Sequence, residues 1–414
     1  MRLEGSAMSG GDAGQASGEA LAGTLYGRVR EELLARATPL STYRLQLHKA
    51  FPFTAAREAV PYLARLGVTD VYCSPYLKAS PGSTHGYDCV DHKQLNPEVG
   101  SPEEHAAFCS TVREHRLGQV VDVVPNHMGI ETFNPLWFDV LENGPSSVYA
   151  RFFDIDWTPV KDELEGKVLL PVLGDQYGVV LERGELKLGY RDGAFFIHYY
   201  DRLLPLAPRQ YGRVLGRGLE GLEARLGAEH AHLIELQSIL TAISHLPART
   251  ETAREKVLER NREKEVIKRR LGTLAEASPE VAAHIASCVA SLNGTPGDAR
   301  SFDALDSLLA GCSYRLAHWR VAVEEINYRR FFDINTLAAI RMERGEVFDA
   351  AHKLILELIK NNEVHGLRID HPDGLYDPTA YFLHLQERFF LERARAHFEA
   401  KQGAQDSRWP EVEL

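Results

Sequence analysis

Three short polar clusters follow apolar segments of the sequence and could carry chemistry. They are HGYD at 85–88, DVVPNH at 122–127 and GLRIDH at 366–371. In a barrel of parallel strands, the residues that follow each strand meet at one rim, and active sites form there. The positions of the clusters, and not only their residue types, therefore predict one shared site.

The third cluster pairs a carboxylate with a guanidinium. Val364, Leu367 and Ile369 are expected to be buried, which leaves Arg368 and Asp370, two residues apart, on the same face of the strand. The neighbouring positive charge keeps a carboxylate ionised. An ionised carboxylate at a barrel rim can act as a nucleophile or stabilise a developing charge. The alternative is a structural Arg–Asp pair that caps the next helix.

The second cluster places Asp122 inside an apolar strand and Asn126 and His127 just after it. A neutral His127 can donate a hydrogen bond to a substrate hydroxyl. Alternatively, Asn126 and His127 form only a turn after Pro125.

The first cluster lies in a loop rich in Gly, Pro and Ser. Tyr87 offers a flat ring that can stack on a substrate, with His85 beside it. The alternative is an ordinary turn at Gly86 and Tyr87, in which the aromatic ring is an anchor.

The elements that must position these clusters alternate between strand and helix. The predicted order is strand Ser41–Leu47, helix Phe53–Leu66, strand Val68–Cys73, helix Pro102–His115, strand Gln119–Val124. This β-α-β-α-β order is typical of a parallel sheet. It resumes far along the chain, with a helix at Val347–Lys360, a strand at Val364–Asp370 and a helix at Tyr381–Glu399.

The segment between the two parts has a different pattern. It contains short strand candidates and then a strongly helical stretch at 219–292; the candidates are Lys167–Leu173, Gly178–Leu181 and Ala194–His198. The charged helix Glu251–Leu271 is interpreted as a solvated helix with many i,i+4 pairs or as a partner-binding surface.

These patterns divide the chain into four parts. The first part, 1–40, contains a disordered tail (1–20) and a leading helix (24–37). The second part, 41–127, contains three barrel strands. An insertion follows at 128–335, with strands and helices first and then helices, and the barrel resumes at 336–414.

The composition limits the class of protein. The chain has 414 residues, 44% of them hydrophobic, and a net charge of −11, which disfavours a nucleic-acid partner. No apolar run is long enough to span a membrane. The five cysteines form no CxxC pair and fit a reducing, cytoplasmic location; they are Cys73, Cys89, Cys109, Cys288 and Cys312.

Taken together, the three clusters resemble the α-amylase family of retaining glycoside hydrolases and transglycosylases. DVVPNH resembles the family's first signature, after the third barrel strand, and GLRID its second, after the fourth. HGYD resembles the loop after the second strand. Further segments resemble the members that act as intramolecular transglycosylases; these segments are STYRLQLHKAFPF, GSTHGYDCVDH, REKEVIKRRL, NYRRFFDIN and GLRIDHPDGL.

The resemblance implies an α/β fold, a (β/α)8 TIM barrel of α-amylase type. We expect its first half only, about four βα units, with a long, mostly helical insertion after strand 3. The general acid/base Glu would then lie beyond residue 414, and the chain would be the N-terminal part of a longer enzyme, inactive alone.

The resemblance also implies roles for individual residues. Asp370 would be the nucleophile, and Arg368 would keep it ionised and oriented. His85, Tyr87 and His127 would hold the sugar in the −1 subsite, and His371 would face the leaving group.

The implied reaction is trehalose biosynthesis by isomerisation. The reducing-end α-1,4 link of a maltooligosaccharide would become an α,α-1,1 link. We expect an α-1,4-glucan substrate, no cofactor, no metal, no nucleic-acid or membrane partner, and a monomer. The alternatives are an α-amylase-type hydrolase and an inactive glucan-binding or interaction module.

Overall fold

The computed structural model describes residues 11–35, 38–131 and 134–402. The chain divides into two compact units. The first unit contains the residues up to Asn126 and those from Met342 onward, and the second contains His127–Arg341. None of the helices in the described part of the chain is both long enough and apolar enough to cross a membrane.

The strands are short. They are β1 Thr42–Leu45, β2 Asp70–Cys73, β3 Leu77–Ala79, β4 Cys89–Leu95, β5 Gly118–Val123, β6 His127–Gly129, β7 Val168–Leu173, β8 Leu186–Arg191, β9 Ala194–Tyr199, β10 Arg202–Pro205, β11 Tyr314–His318, β12 Leu337–Ala339 and β13 Gly366–Ile369.

The helices vary from one turn to seven. They are α1 Gly11–Ala35, α2 Phe53–Leu66, α3 Pro102–Glu114, α4 Pro135–Asn143, α5 Tyr177–Glu182, α6 Tyr211–Leu215, α7 Leu219–Leu226, α8 Ala231–His245, α9 Arg254–Ala277, α10 Pro279–Leu292, α11 Asp303–Ala310, α12 Ala322–Glu325, α13 Gly345–Lys360 and α14 Pro378–Gln402.

The first unit is built on a four-stranded parallel sheet with the order β1-β2-β5-β13. These are the four parallel strands that the sequence predicted, in the predicted order. A parallel connection needs a crossover, usually a helix, and α2, α3 and α13 each precede the next strand of the sheet. β3 and β4 form an antiparallel hairpin in the connection between β2 and α3.

One face of this sheet is covered by apolar side chains. Strand residues Leu45, Cys73 and Val123 are buried in one cluster with Phe53 of α2 and Phe108 of α3. Val364 is buried as predicted, but Leu367 and Ile369 are only partly buried. The reason is that β13 is at the end of the described sheet and pairs there with β5 alone.

The first helix begins earlier than predicted. α1 starts at Gly11, so residues 11–20, predicted to be disordered, are helical. Alanine recurs through this stretch and has the highest helix propensity. Leu25 and Val29 of α1 pack against Ala394 and Phe398 of α14. Residues 1–10, the rest of the predicted tail, lie outside the described residues.

The second unit combines small sheets with a helical part. β8, β9 and β10 form an antiparallel sheet, β7 pairs with β11, and β6 pairs with β12. The strand predictions at Lys167–Leu173 and Ala194–His198 are confirmed by β7 and β9. The strand predicted at Gly178–Leu181 is wrong, because these residues are in α5. A short apolar run cannot by itself distinguish a strand from a buried helical turn.

The charged helix α9 is not solvated on all sides. Arg260 and Lys264 are buried, with exposed fractions of 0% and 4%. Lys264 Nζ lies 2.7 Å from Asp139 and 3.0 Å from Glu142. The interpretation of a fully solvated helix is therefore wrong for this face, which buries charges that are paired within the unit.

Candidate active site

A layer of polar side chains lies on the sheet face opposite the apolar core. Arg44, Tyr72, Asp122 and Arg368 are the penultimate residues of β1, β2, β5 and β13. The final residue of each strand turns toward the helices, and side chains alternate along a strand. The four strands therefore present one polar residue each to the same face, near their carboxyl ends.

Asp122 is the centre of this layer. Its side chain is fully buried. Its Oδ2 accepts hydrogen bonds from the hydroxyls of Tyr72 at 2.7 Å and Tyr87 at 2.6 Å, and from Arg44 Nη1 at 3.3 Å. Its Oδ1 accepts one from Arg368 Nη1 at 3.0 Å. A buried carboxylate is stable only when it is paired in this way.

Arg368 connects Asp122 to Asp370. Its Nη1 also donates to Asp370 Oδ1 at 2.5 Å. Burial alone would lower the pKa of Arg368, but the hydrogen bonds to Asp122 and Asp370 raise it. The guanidinium is therefore charged at any physiological pH. Among the described residues, no side chain donates to Asp370 Oδ2, and the Asp370 side chain is 15% exposed.

The two tyrosines in the layer stay protonated. Burial raises the pKa of Tyr72 and of Tyr87, and the hydrogen bond to Asp122 raises each further. Arg44 Nη2 also donates to the Tyr87 hydroxyl at 3.0 Å. Both hydroxyls are therefore fixed donors to Asp122.

The loop with the first cluster is attached to the sheet through Tyr87. Gly86 has a φ of +79°, and a Cβ there would lie 2.3 Å from the carbonyl oxygen of Pro75. Only glycine fits this position. His85 lies over the Tyr87 ring, with 5.9 Å between ring centroids, and its Nδ1 accepts the Tyr87 amide at 3.0 Å. His85 remains half-exposed.

His371 directly follows Asp370 and adopts a left-handed backbone conformation with a φ of 48°. A non-glycine residue in this region costs about 1–3 kcal/mol and is more frequent at functional sites. Its Nδ1 lies 3.1 Å from Asp373 Oδ1.

The second unit contains His127, the remaining predicted site residue. It is buried at the start of β6 and lies against Phe331, with 4.2 Å between ring centroids. Of the predicted site residues, the structure thus brings together Tyr87, Arg368 and Asp370 in one hydrogen-bonded group, with His85 and His371 next to it in the chain.

Sequence reasoning missed three members of this group. Arg44 and Tyr72 lay in none of the predicted clusters, and Asp122 lay in the second cluster but was assigned no role in the site. A usable signal existed: in each of four strands the penultimate residue is polar or a tyrosine, whereas the final residue is apolar.

A second group of side chains in the first unit could hold a metal ion. Within 11–35, 38–131 and 134–402, only His105, Cys109 and Glu363 offer three ligand atoms within 4.8 Å of one another. They lie near the amino ends of β5 and β13, away from the polar layer. Burial lowers the pKa of His105 to about 4 and raises that of the Cys109 thiol to about 12.

Comparison with known proteins identifies relatives of the chain. Residues 56–180 match the model of the α-amylase catalytic domain. The putative maltooligosyl trehalose synthase of Mycobacterium tuberculosis is 31% identical over 357 residues, which is 84% of this chain and 33% of the relative. The intracellular maltogenic amylase of Bacillus subtilis is 34% identical over 106 residues, 26% of this chain and 17% of that protein.

Solved structures show the same relationship. The maltooligosyltrehalose synthase of Arthrobacter ramosus superposes with a TM-score of 0.57 at 32% identity, covering 85% of this chain and 33% of that one. The chain spans about a third of the length of these relatives. By sequence and by fold, the chain is thus related to the maltooligosyl trehalose synthases and has the α/β fold of the α-amylase type.

Proposed function

We propose that the chain carries the nucleophile of a retaining transglycosylase that acts on α-1,4-glucans. The observation that supports this most strongly is the arrangement of Asp370 beside Arg368, which is held in turn by the buried Asp122. A fixed guanidinium orients Asp370 through its Oδ1 and leaves its Oδ2 available for attack.

The first step forms a glycosyl-enzyme. Asp370 Oδ2 attacks C1 of the sugar in the −1 subsite, and the bond from C1 to the leaving oxygen breaks. That oxygen takes a proton from a general acid. Tyr87 and His85 border the sugar on one side, and the Tyr87 hydroxyl stays protonated because it donates to Asp122.

The second step regenerates Asp370. The released glucose turns over, and its anomeric oxygen attacks C1 of the intermediate. Its proton passes to the group that acted as the acid, and the ester bond to Asp370 breaks. Two inversions at C1 of the donor sugar retain its α configuration, and attack by the α-anomeric hydroxyl of the released glucose gives an α,α-1,1 link.

The reaction requires a second carboxyl group about 5–5.5 Å from the nucleophile, which acts as acid and then as base. Asp122 is a poor candidate for this role because its oxygens already accept four hydrogen bonds from cationic and phenolic donors.

A product assay on the protein that carries this chain tests the proposal. Maltopentaose is incubated with the protein, and both reducing ends and trehalose-terminated products are measured. We expect a trehalose-terminated product and a fall in reducing ends. A rise in reducing ends would indicate a hydrolase, and binding of maltopentaose without turnover would indicate a glucan-binding module.

A further inference from the structure

We propose that His105, Cys109 and Glu363 form a binding site for a divalent transition-metal ion of the zinc type. The site lies in the first unit, where α3 meets the turn between α13 and β13. It contains the imidazole, thiolate and carboxylate donors that Zn²⁺ prefers.

The ligands come from two segments that the fold holds together. His105 and Cys109 are four residues apart on α3, so they lie on the same face of the helix. Glu363 follows α13, and Gln119 of β5 holds this turn because its Nε2 donates to the Glu363 carbonyl at 3.0 Å. The three side chains are thus positioned by α3, β5 and the end of α13.

Two of the three distances between ligand atoms approach those of a tetrahedral site, and all three atoms lie within 4.8 Å of one another. Nδ1 of His105 lies 3.9 Å from Cys109 Sγ and 4.0 Å from Glu363 Oε2. Metal bonds of about 2.0–2.3 Å at tetrahedral angles would bring such pairs to about 3.4–3.6 Å. Rotation of the Glu363 side chain, the most exposed of the three, would shorten its distance to Nδ1, and small rotations of His105 and Cys109 would shorten the distance between these two.

The other nitrogen of His105 already has a partner. Nε2 lies 3.4 Å from the Tyr76 hydroxyl, which also accepts a hydrogen bond from Gln119 Nε2. Metal-binding histidines usually hydrogen-bond through their second nitrogen. Nε2 also lies 3.5 Å from Cys109 Sγ, whereas Nδ1 lies within 4.0 Å of both the thiol and the Glu363 carboxylate.

A second His–Cys pair in the chain, in which backbone carbonyls contact both side chains, serves as a comparison. His284 and Cys288 are also four residues apart on a helix, α10, and Nε2 lies 3.5 Å from Sγ. There the His284 nitrogen contacts the Leu215 carbonyl at 2.9 Å, and Cys288 donates to the Arg217 carbonyl. Carbonyl oxygens thus satisfy the second pair. The first pair contacts Tyr76 and Gln119, and it also faces a carboxylate, that of Glu363.

Access and charge also fit a cation. His105 and Cys109 are buried, but the Glu363 side chain is 21% exposed and gives a route from solvent. Arg113 is a competing positive charge that acts on Glu363, and its Nη1 contacts the Asn362 carbonyl. A bound ion would tie α3 to the segment that leads into β13, the strand that carries Arg368.

Cobalt titration tests the proposal directly. The protein is stripped of metal with a chelator and titrated with Co²⁺ under reducing conditions. We expect a thiolate-to-cobalt absorption band in the near ultraviolet, which added Zn²⁺ abolishes. The band should disappear in Cys109→Ser and persist in the matched control Cys288→Ser.

A second variant keeps the test valid if Cys109→Ser does not fold. Glu363→Gln removes a partly exposed ligand and should weaken Co²⁺ binding at least about 10-fold, since even the loss of an outer-shell partner typically costs about 10–100-fold. The absence of the band from the wild-type protein, or a band that survives in Cys109→Ser, would overturn the proposal.

Discussion

Each unit of the molecule buries a group of charges, and the two groups differ in how they are used. In the first unit, Asp122 receives donors from three strands and a loop, and its partner Arg368 reaches a carboxylate that is still accessible, Asp370. In the second unit, Asp139 and Glu142 of α4 are paired with Lys264, and Glu142 also with Lys268.

The way the charged side chains are paired bears on which of the two groups we expect to perform chemistry. All partners in the second group come from two helices, α4 and α9, and the Lys264 and Glu142 side chains are only 5% and 3% exposed. Burial alone would lower the pKa of Lys264, but Glu142 and Asp139 raise it. The charges of that group are paired with one another, although they also border an open cavity. We therefore expect that group to stabilise the unit, whereas the first group ends in Asp370, a carboxylate that is still accessible beside Arg368.

Replacement of Asp370 should have the largest effect. In the protein that carries this chain, Asp370→Asn should lower turnover of maltopentaose at least about 10³-fold, because covalent catalysis is lost. The amide is nearly isosteric, so the circular dichroism spectrum should be unchanged. The matched control is Asp349→Asn on α13, whose side chain is 53% exposed. Activity within tenfold of wild type would show that Asp370 is not the nucleophile.

Removal of the cation from the second group should cost stability. Lys264→Met leaves Asp139 and Glu142 short of a partner and should lower the free energy of unfolding by about 3–5 kcal/mol. Lys256→Met, in the exposed pair with Glu259, should change it by less than about 1 kcal/mol. Urea unfolding followed by the fluorescence of Trp137 and Trp157 measures both variants. Equal effects of the two substitutions would contradict the structural role.

Acid should weaken the first unit through its buried histidines. Burial lowers the pKa of His352 to about 3, while the unfolded side chain titrates near 6.5. Below pH 6.5 the unfolded chain therefore takes up a proton that the folded chain does not, and stability falls with pH. Between pH 7 and pH 5 this histidine should account for up to about 2 kcal/mol.

The variant His352→Gln should remove that part of the pH dependence. Unfolding in urea at pH 7 and pH 5, followed by circular dichroism, gives the difference. His245→Gln on the surface of α8 is the control, and its free energy of unfolding should depend on pH as that of the wild type does. An unchanged slope in His352→Gln would mean that this histidine is protonated in the folded state.

The smallest effect is expected from a single hydroxyl of the polar layer. Tyr72→Phe removes one of the donors to Asp122 and should lower the free energy of unfolding by about 1–2 kcal/mol. Tyr43→Phe on the same sheet is the control, because its side chain is exposed. A loss no larger than that of Tyr43→Phe would show that the remaining donors satisfy Asp122 without Tyr72.

Much of the first unit could be predicted because its signals are local. The strands are β-branched and short, Gly67 ends α2, and the polar clusters directly follow strands. The Arg368–Asp370 pair also follows from alternation along one strand. These features need only neighbouring residues.

The centre of the site could not be predicted from such signals. Arg44 and Arg368 reach Asp122 across 78 and 246 residues of sequence. Their meeting depends on the register between strands, which no single segment contains. The buried face of α9 was missed for the same reason, since its partner carboxylates lie on α4.

Mechanism-based labelling tests the role of Asp370 most directly. A 5-fluoro-α-glucosyl fluoride forms a slowly hydrolysed glycosyl-enzyme, and its fluoride leaving group needs little help from a general acid. The protein that carries this chain is incubated with the reagent, digested and mapped by mass spectrometry. We predict one added glycosyl group on Asp370, in the peptide that contains GLRIDHPDGL. A label on another carboxylate, or none under conditions where the protein turns over maltopentaose, would contradict this assignment.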